Sequence, residues 1–186
     1  GTDRLVRCMA TQAVNPYISE RKLEFQDAYR DCDALAVAPY FGMNVGPNTK
    51  PDVEAVEGWQ VDDVLDYLEQ HALVGAIEYA RKQKAVADKF GLKLVAYEAG
   101  QHAVGVGGGE NSQTVTNLLH AANRHERMGR MYKQYLDAWR DSGGDLMCLF
   151  ASVGRWSKWG SWGLLEYSDD DTPKFRAVMD WNQANL

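Results

Sequence analysis

Leu92-Lys93-Leu94-Val95-Ala96-Tyr97-Glu98-Ala99-Gly100-Gln101-His102 carries the reading of the fold. A strand-forming run passes without a break into a carboxylate, then into a small residue and a glycine. Its apolar part is nearly continuous rather than alternating, as in strands covered on both faces of a parallel sheet. Three further runs of the same kind occupy 5–11, 34–38 and 146–150. Longer stretches with helical spacing lie between them. Ser19 is placed to cap a helix reaching about Arg30, with Leu23, Ala28 and Tyr29 facing inward. Val61, Val64, Leu65 and Leu68 repeat at helical spacing, and a stretch from Leu73 ends at Gly91, a residue type favoured just past a helix. Met128, Met131, Tyr132, Tyr135 and Trp139 stripe a helix that stops at Gly143-Gly144. Phe175, Val178, Met179 and Trp181 stripe a last one over 174–185.

The resulting order, β-α-β-α-β-α-β-α, implies right-handed crossovers and an all-parallel sheet. Turns from helix to strand are short (30–33, Gly91, 143–145). Loops from strand to helix, over 39–58, 98–112 and 151–173, are long and rich in Gly, Asn, Trp and charge. Elaborate loops on the C-terminal edge are the layout of a (β/α)₈ barrel enzyme, although a doubly wound sheet binds at the same edge. The fold expected is α/β: half of a (β/α)₈ TIM barrel, four parallel strands alternating with helices in a single domain over 1–186.

Composition bounds what such a domain does. At 186 residues, 45% hydrophobic and 25% charged, the chain is long enough for one sizeable core. A net charge of −6 argues against nucleic acid or an anionic membrane as partner, since both reward basic patches. No apolar run nears the roughly 18 residues of a membrane span. Gly1-Thr2-Asp3-Arg4 has no signal-peptide pattern, and secretion would need a longer native chain that carries one. Three cysteines cannot all pair with one another. Cys8 and Cys148 lie in apolar runs and Cys32 ends a helix, so buried free thiols are expected. No Cys/His spacing suits zinc.

Glu98 would leave the sheet at its C-terminal edge on rigid backbone, as a catalytic group should. A structural glutamate bonding loop amides fits the same position, so the neighbours matter. The second run ends in Ala38-Pro39-Tyr40-Phe41-Gly42, which brings a phenol to that edge. The first ends in Thr11-Gln12-Ala13-Val14-Asn15, where Gln12 and Asn15 supply amides for sugar hydroxyls. The fourth opens into a Gly/Ser-rich loop with Trp156, Trp159 and Trp162 inside seven residues. Indole faces stack on the apolar C–H face of pyranose rings, so this loop is expected to build sugar subsites. His102, four residues past Glu98, is the histidine placed for a sugar or carboxylate contact.

A strand ending in Tyr97-Glu98-Ala99-Gly100, a preceding strand ending in Pro39-Tyr40 and a following strand leading to tryptophan resemble strands five to eight of the clan A glycoside hydrolases, over nearly the whole chain. The resemblance implies that Glu98 is the nucleophile, that Tyr40 hydrogen-bonds it, and that Trp156 floors the −1 subsite. The sequence departs from the clan at the acid/base glutamate, which there follows an asparagine on strand four; no Asn-Glu pair occurs here at a strand end. Glycosidases normally use two carboxylates, about 5–5.5 Å apart for retention or about 6.5–9.5 Å for inversion. Glu166 is the candidate second, although its place about sixteen residues past the strand suits a surface or capping role better.

Other motifs carry less. Gly105-Val106-Gly107-Gly108-Gly109 lies eight residues past its strand and lacks the tight turn of a dinucleotide loop. His120 and His125, five apart, are poorly spaced for a metal, and Asp169-Asp170-Asp171 reads as a solvated loop. The function expected is hydrolysis of a β-linked oligo- or polysaccharide, without metal or cofactor. Its rival is a non-catalytic carbohydrate-binding half-barrel, which would keep the tryptophans and not need an ionised Glu98. A doubly wound hydrolase would need a Gly-x-Ser-x-Gly elbow, absent here. Four strands cannot close a barrel. The partners expected are therefore a carbohydrate substrate and either a second copy, as a homodimer completing the barrel, or a missing N-terminal half.

Overall fold

The computed structural model describes residues 4–185; the Gly1-Thr2-Asp3 start lies outside them. The described strands are β1 (Cys8–Ala10), β2 (Ala34–Val37), β3 (Phe41–Val45), β4 (Lys93–Ala96) and β5 (Gln101–Gly105). The helices are α1 (Pro16–Glu24), α2 (Val53–Glu57), α3 (Val61–Tyr67), α4 (Val74–Lys89), α5 (Gln113–Asn123), α6 (Glu126–Asp141) and α7 (Pro173–Ala184). They fall into two compact units. One comprises 4–39, Ala76–Ala99 and Asp137–Leu149; the other comprises Tyr40–Gly75, Gly100–Leu136 and 150–185. The architecture is mixed α/β with small parallel sheets of three and two strands, and no sheet closes into a barrel among the described residues.

In the first unit β1, β2 and β4 pair side by side, all parallel, with Cys8 opposite Ala34 and Val37 opposite Ala96. The fourth apolar run adds an isolated parallel bridge between Ala96 and Met147. There Ala96 N donates to Leu146 O and Cys148 N to Ala96 O, both at 2.9 Å. Spatial order thus follows chain order, and β4 is an interior strand. Ala34, Leu35, Ala36 and Val37 are all buried, as their continuous apolar run requires. The two edges differ: Leu5, Val6, Cys8, Leu146 and Cys148 are exposed. This corrects the expectation of buried thiols for Cys8 and Cys148, which sit on sheet edges with nothing laid over them in this unit. Cys32 is half-buried.

The first helix also differs from its expected start. Asn15, not Ser19, is the N-cap, its Oδ1 accepting from Ile18 N at 3.3 Å, with Pro16 in the first turn. Proline suits that turn because its missing N–H would have been unpaired there. Ser19 is buried one turn later and donates to Thr11 Oγ1 at 3.1 Å. The helix stops at Glu24 instead of reaching Arg30, because Gln26 and Asp27 take left-handed conformations with φ of 51° and 58°.

In the second unit β3 and β5 pair in parallel, from Phe41 opposite Gln101 to Val45 opposite Gly105. Both lie where the sequence suggests loop, since each contains glycine and follows its predecessor after a short break. The glycine at 42 is required: a Cβ there would stand 1.9 Å from the His102 carbonyl oxygen. Phe41 packs against Tyr132 and Tyr135 of α6, ring centroids 5.6 and 5.2 Å apart, and Met128 and Met131 of the same stripe are buried. Ser112 caps α5 by accepting from Val115 N at 3.2 Å. Helix α3 runs through a π-helical turn, Leu68–Leu73, into α4. No helix among the described residues is long and apolar enough to cross a membrane.

Candidate functional site

In the first unit, the β2–β4 ladder continues to the residue before Glu98, where Tyr97 N donates to Val37 O at 3.1 Å. Glu98 therefore leaves the C-terminal end of an interior parallel strand, half-buried and followed by buried Ala99. The end of β1 is held by a residue that the sequence reading passes over. Gln83 of α4 is fully buried, and its Nε2 donates to the carbonyl oxygens of Gln12 and Ala13, both at 2.9 Å. The signal was present: Ala76, Ala80, Gln83 and Ala87 form one buried helical stripe with a single amide in it. The Gln12 side chain is exposed above this anchored turn, while Asn15 is committed to capping α1 through its Oδ1.

In the second unit, Tyr40, His102, Trp162 and Phe150 form an aromatic row. Successive ring centroids lie 5.9, 5.7 and 6.3 Å apart. The Trp162 indole N–H donates to His102 Nδ1 at 3.1 Å. An indole nitrogen only donates, so Nδ1 must be unprotonated and the neutral ring carries its proton on Nε2. Burial agrees with this, lowering the His102 pKa from its ordinary 6.5. The unfolded chain therefore binds this proton first as pH falls, and stability declines below pH 6.5 until the native value is passed. Trp162 emission should titrate with a midpoint under 6.5, and His102→Gln should abolish that transition. A midpoint at or above 6.5 would contradict the assignment.

The three loop tryptophans have different fates. Trp159 is 63% exposed, with the Lys158 ammonium 4.7 Å from its ring centroid. Trp162 is half-buried in the aromatic row. The expectation of a stacking surface at Trp156 is corrected, because that residue is buried. Its Nε1 donates to Gly163 O at 3.1 Å, and Arg124 and Lys174 lie over its ring at 4.6 and 4.9 Å. The Arg124 guanidinium is attracted to the ring's negative face, and the buried Lys174 amine covers the ring as well, leaving no place for a sugar.

Lys174 organises the loop from beneath. Ser161 O, just before Trp162, accepts from Gln101 Nε2 at 2.7 Å, Asn123 Nδ2 at 2.9 Å and Lys174 Nζ at 3.2 Å. Lys174 Nζ also donates to Asn123 Oδ1 at 2.9 Å. Lys174 is fully buried, and desolvation, aided by the nearby Arg124 charge, brings its pKa down to about 7.

Glu166 is tied to Arg124 at 2.7 Å, and the same guanidinium holds Asp170 in a two-point contact at 3.0 and 2.9 Å. The Arg124 hydrogen bond lowers the Asp170 pKa. Asp171 pairs with Arg176 at 2.7 Å. The acidic triplet lies in a loop with Asp169 and Asp171 exposed, and Asp170 and Asp171 are ion-paired there; Glu166 has a structural partner. The Gly105–Gly109 stretch turns tightly against β3, where a Cβ at 109 would lie 2.0 Å from Val45 O. Among the described residues, no group of three or more His, Cys, Asp or Glu is arranged to hold a metal ion. Comparison with known sequence families, curated proteins and solved structures gives no match to this chain.

Proposed function

We propose that the chain is a glycoside hydrolase, or a half-barrel relative of one, acting on a β-linked oligo- or polysaccharide with Glu98 as catalytic carboxylate. One observation carries the reading: Glu98 emerges half-buried from the C-terminal end of β4, an interior strand of a parallel sheet. Carboxylates in that position are held by rigid backbone at the edge where barrel enzymes do chemistry. As nucleophile it would attack the anomeric carbon; as general base it would take a proton from the attacking water. In the second unit, Tyr40, His102 and Trp162 form a row of mutually tilted rings, interplanar angles 58° and 34°, and neutral His102 offers an Nε2–H donor to a hydroxyl. Gln12 and Trp159 are exposed for further sugar contacts. Asn15 has an amide N–H₂ left over from capping. A matching oligosaccharide should shift the intrinsic fluorescence, and Trp162→Ala should weaken its binding at least about tenfold, or about 1.4 kcal/mol. No shift with gluco-, manno-, xylo- or galacto-oligosaccharides would overturn the assignment.

The finer fold reading, a single half of a (β/α)₈ barrel over 1–186, belongs to the same proposal. Support comes from four segments in chain order, all parallel. Both edges carry apolar side chains in water. Leu5, Val6 and Leu146 are 66%, 64% and 65% exposed, and Met9, Tyr17, Ile18 and Phe25 border a groove of about 520 Å³. Unpaired apolar edges recruit other strands. A second copy related by a two-fold along the barrel axis would lay each β1 beside the partner's 146–149 and keep every strand parallel. Light scattering should therefore give twice 20.8 kDa, with an interface above about 1,600 Å². A monodisperse monomer at micromolar concentration would refute the dimer.

A further inference from the structure

The segment between β3 and α4 holds a feature that the proposed chemistry does not use. Trp59, Asp63, Asp66, Tyr67, Gln70 and His71 line an open cavity of about 330 Å³, all within the second unit. That volume lies at the lower end of the range for small-ligand sites, about 300–1,000 Å³. Every lining residue is aromatic or hydrogen-bonding. Trp59, Tyr67 and His71 form a row with ring centroids 6.0 and 5.3 Å apart. The row is braced, since the Tyr67 hydroxyl donates to Lys50 O at 3.3 Å. Gln70 and His71 sit on the π-helical turn Leu68–Leu73, a rare conformation that recurs at functional sites.

We propose that this cavity binds a pyranose unit of a neutral glycan as a surface subsite, its ring stacked on the Trp59–Tyr67 row. The choice of a glycan rests on the carbohydrate reading of the chain. The preference for a neutral ligand rests on how the two carboxylates are already engaged. Asp66 accepts from Arg127 at 2.6 Å, and Asp63 accepts from the Gln60 backbone N–H at 2.7 Å. Arg127 also bonds Glu69 at 2.6 Å and lies 3.5 Å from Asp62. An organic cation would have to compete with that guanidinium. Sugar hydroxyls need only donate to the remaining carboxylate lone pairs, while the Gln70 amide both donates and accepts.

The test follows the indole N–H signal of Trp59 in ¹⁵N–¹H spectra, assigned with Trp59→Phe, during titration with cello-, manno-, xylo- and galacto-hexaoses. One of these should shift that signal. Gln70→Ala, at an exposed position that leaves the fold intact, should weaken the Trp59 response several-fold, and Trp162→Ala should leave it unchanged. Binding at Trp59 without hydrolysis of any glycan would sustain the subsite while sinking the hydrolase reading. An unmoved Trp59 signal with every hexaose overturns the subsite, as does a shift produced by choline chloride and by none of the sugars.

Discussion

Lys174→Met should remove most of the rise in stability that the wild-type protein shows between pH 7 and pH 9. The amine is fully buried among Trp156, Tyr132, Asn123 and Ser161, and the charged group facing it is another cation, Arg124. Glu166 and Asp170 neutralise Arg124 and not the lysine. Burial raises the Tyr132 pKa above its ordinary value, so that phenol stays neutral throughout this range. The native pKa of Lys174 is about 7 against an ordinary 10.5. Between those values the unfolded chain binds a proton that the native protein does not, so stability rises with pH. Below about pH 7 both states are protonated and the cost of the buried charge is complete. From pH 7 to 9 the wild type should gain about 2 kcal/mol more than the variant, roughly 4–8 °C in Tm for a chain of this size. The variant also leaves Asn123 Oδ1 without its lysine donor, which costs about 1–3 kcal/mol at every pH and does not alter the slope. Parallel profiles for the two proteins would show that Lys174 is not buried as a neutral amine.

How much of this was legible in the sequence differs from one element to the next. β2 could be read directly, because a strand buried on both faces leaves an unbroken apolar run, and β4 kept enough of one in Leu94-Val95-Ala96 despite its exposed Lys93. The stripe of α6 was equally plain, with Met128, Met131, Tyr132 and Tyr135 all buried. β3 and β5 were hidden, since Gly42 and Gly105 are there for close backbone approach and resemble loop residues to any propensity argument. Gln83 and Lys174 were missed for a related reason. Their residue types say surface, and only the partners brought in from distant segments make burial tolerable. The tryptophan loop shows the same limit. Trp156 and Trp162 share one motif, yet Arg124 and Lys174 cover the first while His102 holds the second. The strand-end position of Glu98 was legible because local sequence alone places a residue there.

Glu98→Gln should lower hydrolysis by at least about a thousandfold, equivalent to roughly 4 kcal/mol of transition-state stabilisation. The amide preserves size and hydrogen-bonding reach but can neither attack an anomeric carbon nor accept a proton from water. Sugar affinity should change little, because the proposed stacking surfaces at Trp162 and Trp159 are untouched. That separation distinguishes a catalytic role from a structural one, and a hydrolase from a module that only binds carbohydrate. The decisive measurement is the turnover of wild type and Glu98→Gln on chromogenic glycosides and dyed polysaccharides, with oligosaccharide affinity measured on the same preparations. Turnover by the wild type, lost in the variant at unchanged affinity, is the result predicted. Equal turnover by the two proteins, or binding without turnover by the wild type, would contradict the assignment of Glu98 as the catalytic carboxylate.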